Sequence, residues 1–134
     1  MTTPEFLKLV ADRLEKIQET LGRKGKEYAR GDRLSNFKRA ASIQRMSPEK
    51  AWLGIWAKHL VSILDMIDDI EQGCSNAPME LWDEKIGDSV NYLILLEGLV
   101  WERIRHKDLT AQALVEAADR VQRETRPHVK HRRR

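Results

Sequence analysis

Apolar residues recur along this chain at spacings of three and four, and sustained alternation in twos is absent, so the pattern predicts helices and no strands. Phe6, Val10, Leu14, Ile17 and Leu21 draw one stripe down a first helix, which the sequence lets begin after Thr3 with Pro4 at its first position. The same spacing continues to Lys24 and Tyr28, where Gly22 and Gly25 weaken the helix, a pattern expected of a helix entering a site. A turn at Gly31 and Asp32 precedes a short helix with Leu34, Phe37, Ala40 and Ala41, which stops by Ser47 because the residue before a proline disfavours helical backbone. Ser47 is an N-cap candidate, with Pro48 at the first position of a long third helix reaching about Gln72. After a loop from Gly73 to Pro78, a fourth helix is expected from about Met79 to His106. A separate last one is expected from Leu109 to Arg123, with Leu114, Ala117, Ala118 and Val121 on one side.

On a helical wheel the third helix places Trp52, Trp56, Leu60, Ile63, Ile67 and Ile70 on one stripe, with His59 and Met66 at its border. That stripe is the expected core. Lys58, Ser62, Asp65 and Asp69 fall opposite it, one turn apart. In the fourth helix Trp82, Ile86, Val90, Leu93, Val100 and Ile104 form the expected core stripe. Glu84, Asp88, Asn91 and Leu95 share the other side, flanked by Tyr92 and Leu99. Because that second side turns from polar to apolar along its length, both sides are expected to be covered, by another layer or by a second subunit.

Length and charge refine this picture. At 134 residues the chain fits one domain, expected over 1–124. From Arg120 onward there are seven Lys/Arg and one Glu, a net of +6 against +3 for the chain, so the first 119 residues carry −3. The basic character belongs to the segment 125–134, expected to be a mobile tail, and nucleic acid is not the expected partner. Neither a long apolar run nor a signal-peptide order is present, so a cytoplasmic location away from membranes is expected. Cys74 is the only cysteine, which excludes an intrachain disulfide and a cysteine zinc cluster.

The chemistry-bearing residues concentrate in two places. Glu84 and Asp88, at i and i+4, repel each other, and more strongly as dielectric falls, so a cation is expected between them. Mg²⁺ suits such a site, with Mn²⁺ as an alternative, since Mg²⁺ takes one or two carboxylates and completes its shell with water and phosphates. The stretch RKGKEYARGDRLSNF supplies Lys24 and Lys26 for phosphate, Tyr28 and Phe37 as flat surfaces and Asn36 as an amide. No phosphate-binding loop, nucleophile elbow or H-E-x-x-H motif is present.

Lys-Gly-Lys-Glu-Tyr (24–28), Leu-Ser-Asn-Phe (34–37), Lys-His (58–59) and Glu-Lys-Ile-Gly-Asp-Ser-Val-Asn-Tyr (84–92) together resemble small helical proteins, many phage-encoded, that look like distant relatives of the MazG-type all-α nucleoside triphosphate pyrophosphohydrolases. The resemblance covers roughly residues 6 to 100. It implies a four-helix bundle with one or two extra short helices, assembled as a homodimer or homotetramer, and Mg²⁺-dependent hydrolysis of a (deoxy)nucleoside triphosphate to the monophosphate and pyrophosphate. Carried over residue by residue, it implies metal ligation and catalysis by Glu84 and Asp88; facing geometry adds Asp65 as a third metal ligand, and Lys58 is expected to take a catalytic part by contacting phosphate in place of missing metal charge. The resemblance also implies substrate binding by Lys24, Lys26, Tyr28, Asn36, Phe37, His59, Asn91 and Tyr92. The chain departs from that family in lacking an E-E-x-x-E helix and in carrying Lys85 where the second motif has its first acid. Those departures admit a second reading, a nucleotide sensor or sink without catalysis, and a third, a nucleic-acid adaptor acting through the tail.

Overall fold

The computed structural model describes residues 1–28, 31–74 and 76–124, with the side chains of 24–28 and 124 left out. The described residues are helical, without strands, in four elements: α1 (Thr3–Tyr28), α2 (Ser35–Gln44), α3 (Pro48–Glu71) and α4 (Met79–Glu124). Contacts divide the chain into two units, Met1–Val100 and Trp101–Arg134.

Local chemistry explains most of the boundaries. α1 begins behind a reciprocal capping box: the Thr2 hydroxyl accepts from the Glu5 amide, and the Glu5 carboxylate accepts from the Thr2 amide. The hydrogen bonds that the Glu5 carboxylate accepts from the Thr2 amide and the Thr2 hydroxyl hold its carboxyl below the ordinary range. α3 begins as expected, with the Ser47 hydroxyl accepting from the Lys50 amide at 3.2 Å and Pro48 in the first turn. α2 ends earlier than expected, at Gln44, on Arg45 in the left-handed region (φ 53°). Gly73 (φ 68°) closes α3, and the Cys74 amide donates back to the Asp69 carbonyl at 2.9 Å. One boundary expected near residue 107 is absent. α4 runs unbroken to Glu124, because His106 to Thr110 contain neither Gly nor Pro, and the Thr110 hydroxyl satisfies its own helix by donating to the His106 carbonyl.

Within the first unit the core is small: Leu34 at the N-cap of α2, Phe37 from α2, Trp52 from α3 and Leu99 from α4. Ile55, Trp56, Tyr92, Leu95 and Leu96 pack around them. Trp52 stacks on Trp56 with ring centroids 5.2 Å apart, and its indole N–H donates to the Tyr92 carbonyl at 2.7 Å, tying α3 to α4. Gly98 lets Leu34 approach α4, since a Cβ there would stand 3.4 Å from a Leu34 methyl.

The stripes expected to form the core are rotated or only partly used. On α1, Ile17 is buried and Leu21 half-buried, but Phe6, Val10 and Leu14 are exposed. On α3, Met66 at the border is buried, whereas Leu60, Ile67 and Ile70 are exposed. On α4 the reversal is more complete: Ile86, Leu93, Val100 and Ile104 are exposed, while Tyr92, Leu95 and Leu99 from the other side turn into the core. A wheel shows which residues share a face; both faces of α4 are apolar enough to be chosen, and the aromatic cluster of α2 and α3 selects the one with Tyr92. No described helix is long and apolar enough to cross a membrane.

Candidate functional site

Because α4 turns its Asp88–Asn91–Tyr92 side inward, these residues form the wall between two cavities in the first unit. One, of ≈ 340 Å³, is half apolar and lies against Leu21, Asn36, Phe37, Ile55, Tyr92 and Leu95. The other, of ≈ 290 Å³, is charged and lies against Arg13, Lys16, Arg23, Glu84 and Asp83. Asp88, Asn91 and Thr20 line both. Both volumes lie near the lower end of the size range of small-molecule sites, and the two cavities share a wall, one with an aromatic end and the other with a lining of mixed charge.

The aromatic end is fixed by ring contacts. Phe37 meets Tyr92 edge to face at 6.3 Å, and His59 lies against the other side of Tyr92 with ring centroids 4.8 Å apart. Burial and the nearby Asp88 carboxylate push the Tyr92 phenol above its ordinary pKa, so it stays a neutral donor. Asp88 reaches His59, with 3.6 Å between its Oδ2 and Nδ1. Among the described residues the buried Asn91 Oδ1 has no hydrogen-bond partner, nor has the buried Ser89 hydroxyl one turn from Lys85. An unmade bond at a buried amide is costly, so Asn91 in the shared wall is a ready acceptor for a ligand N–H or O–H.

The charged end is held by α1. Arg13 donates to both the side chain and the carbonyl of Asp83, and Lys16 donates to the same carboxylate at 2.8 Å. The Lys16 hydrogen bond, with the charges of Arg13 and Lys16, holds the Asp83 carboxyl below its ordinary range. The Arg13 guanidinium crosses directly over Gly87; a Cβ there would fall 2.5 Å from Nη1. Gly87 in the Glu84–Tyr92 segment therefore makes room for a cation from the neighbouring helix. Glu84 is exposed and pairs with Lys85 at 2.8 Å, which lowers the Glu84 pKa and raises that of Lys85.

The structure brings together Glu84, Asp88, Asn91, Tyr92, His59, Phe37 and Asn36 of the residues expected from the sequence. Lys58 and Asp65 are exposed on α3 and do not line either cavity. Lys24, Lys26 and Tyr28 have side chains outside the described residues. Among the described residues no group of three or more His, Cys, Asp or Glu is arranged to hold a metal ion. Arg13, Lys16 and Thr20 were not expected. Their signal was present: with Arg23 they form a row at spacings of three, four and three, directly beside Ile17. Comparison with models of known protein families, with curated proteins and with solved structures gave no match.

Proposed function

We propose that this chain binds a nucleoside polyphosphate across the two adjoining cavities, the base in the one lined by Asn36, Phe37 and Tyr92 and the phosphates toward Arg13, Lys16 and Arg23. The observation that carries this reading is the shared wall: Asp88 and Asn91 line a cavity with Phe37, Tyr92 and Arg33 on one side and, on the other, a cavity of mixed charge that holds Arg13, Lys16 and Arg23 beside Glu19, Asp83 and Glu84. Rings supply stacking, amides read base edges, and guanidinium and ammonium groups neutralise phosphate. Calorimetric titration of the full chain with a nucleoside and its mono- and triphosphate tests it. Affinity should rise with phosphate number, and Arg23→Gln should lower triphosphate affinity about tenfold. Equal or absent binding for all ligands would overturn it.

A second reading adds chemistry at the same site, as the resemblance to MazG-type hydrolases implies. Glu84 and Asp88, one helical turn apart, both line the charged cavity. Mg²⁺ needs only one or two carboxylates when substrate phosphates complete its shell, so the pair fits the ion without a third protein acid. The bound ion would supply charge stabilisation to the phosphates and activate a water for attack. Lys58 and Asp65 have no part in this version, which rests on Glu84 and Asp88 alone. Pyrophosphate release that requires Mg²⁺ and disappears in Asp88→Asn favours it; chelator-independent binding with the nucleotide recovered intact favours a sensor or sink. The dimer or tetramer implied by the same resemblance belongs to this proposal as well.

A further inference from the structure

In the second unit α4 continues from Trp101 to Glu124 as one helix whose side chains are almost all exposed. Ile104, Lys107, Ala111, Leu114, Ala118 and Val121 follow one another at spacings of three, four, three, four and three. This is the a/d spacing of a coiled-coil seam, in which each apolar side chain enters a hole on a facing helix. The large members are open to solvent: Ile104 is 55% exposed, Leu114 67% and Val121 58%. The pattern is set by sequence and the exposure by structure, so the two observations are independent.

Two properties of the seam identify what would cover it. Outside the seam, residues 101–123 carry four cationic side chains (Arg103, Arg105, Arg120, Arg123) against four anionic ones (Glu102, Asp108, Glu116, Asp119). A lipid-binding helix concentrates Lys and Arg on its polar face, whereas this face is balanced and suits another mixed-charge helix. The seam also alternates large with small residues in a self-complementary way. Run antiparallel, the helix sets Ile104 against Val121 of the partner subunit, Lys107 against Ala118 of the partner subunit, and Ala111 against Leu114 of the partner subunit. Every layer then pairs a long side chain with a shorter one. Run parallel, it would set Lys107 against Lys107 of the partner subunit inside the seam and leave gaps at the two alanine layers; like charges in low dielectric repel strongly.

We infer that residues 101–124 of α4 self-associate with a second copy of this chain as an antiparallel two-stranded coiled coil, with Lys107 as the position that selects antiparallel over parallel pairing. Sedimentation of the full chain tests the association. The wild type should sediment above monomer mass at sub-millimolar concentration, and Ile104→Glu/Leu114→Glu should fall to a smaller assembly with unchanged helical circular dichroism. These two side chains are exposed, so the double variant leaves the Leu34–Phe37–Trp52 core intact. A monomeric wild type, or a double variant of unchanged mass, overturns the inference. So does a monomer that co-sediments with phosphatidylserine vesicles. Lys107→Leu should tighten association tenfold or more.

Orientation is read by spin-label distances in chains carrying Cys74→Ser. Antiparallel pairing holds two Gln112→Cys labels at nearly the same level. It separates two Arg120→Cys labels by about 22 Å along the axis, at 1.5 Å rise per residue. Equal separations at the two positions would show parallel pairing and overturn the assignment.

Discussion

The two parts of α4 carry similar residues and have opposite fates. From Asp88 to Leu99 the helix has apolar residues on two faces, and one face is buried against Leu34, Phe37 and Trp52. From Trp101 to Arg123 it has one regular apolar stripe, and every side chain except Glu102 is exposed. The stripe of the second part is the more regular of the two. Periodicity therefore did not decide burial; the presence of neighbouring aromatic helices did. The first part gains a Trp52 N–H bond to its Tyr92 carbonyl and packs against Leu34 and Phe37. In the second, an exposed Arg105 guanidinium stacks over Trp101 at 5.2 Å, a contact worth about 0.5–1 kcal/mol at an exposed site.

Substitutions can break or sharpen this contrast. Trp52→Ala removes the stacked indole, its hydrogen bond and the centre of the core, and should cost about 3–5 kcal/mol in urea unfolding. Ser47→Ala removes the α3 cap beside that core and should cost about 1 kcal/mol by the same measurement. Asp83→Asn should cost less, under about 1 kcal/mol, because the Asp83 side chain is 37% exposed and solvent screens its pairing with Lys16 and Arg13. Since folding depresses the Asp83 pKa, its contribution is present above the unfolded carboxyl value, near 3.9, and is lost as pH falls through the lower folded value. The variant should flatten the acid limb of the stability profile, as followed by circular dichroism. Leu114→Ala, in the exposed stripe, should leave unfolding of the first unit unchanged within about 0.5 kcal/mol. A larger, concentration-independent loss would place Leu114 inside a folded core and erase the distinction.

Much of the local structure was legible in the sequence because its causes are local. Ser47 with Pro48 announced the start of α3, and Gly73 its end, through cap chemistry that needs only a few neighbouring residues. Thr2 and Glu5 carried an equally plain capping box that the apolar stripe, beginning at Phe6, drew attention away from. The break expected near residue 107 is absent because no Gly or Pro interrupts the backbone there, so α4 continues to Glu124. The candidate site was half legible. Asp88, Asn91 and Tyr92 share a face at helical spacing, so one element delivers them together. Arg13 and Lys16 come from a helix some seventy residues earlier, and they meet the same cavity through Asp83, with the Arg13 guanidinium lying over Gly87.

By itself the sequence determined that the chain is helical, where its caps lie, that its positive charge collects after Arg120, and which residues travel together on each helix face. These properties depend on backbone propensity, hydrogen bonding within a turn and the 3.6-residue period, all of which act at short range. Only the tertiary structure decided which face of α4 is inside, that Ile86 and Leu93 rather than Tyr92 and Leu99 face solvent, and that Arg13 and Lys16 join Asp88 and Asn91 around one compartment. Those outcomes depend on which surfaces meet. Hydrophobic burial has no direction of its own, so two apolar faces on one helix compete, and the shape and hydrogen bonding of the Phe37, Trp52 and Trp56 cluster settle the competition.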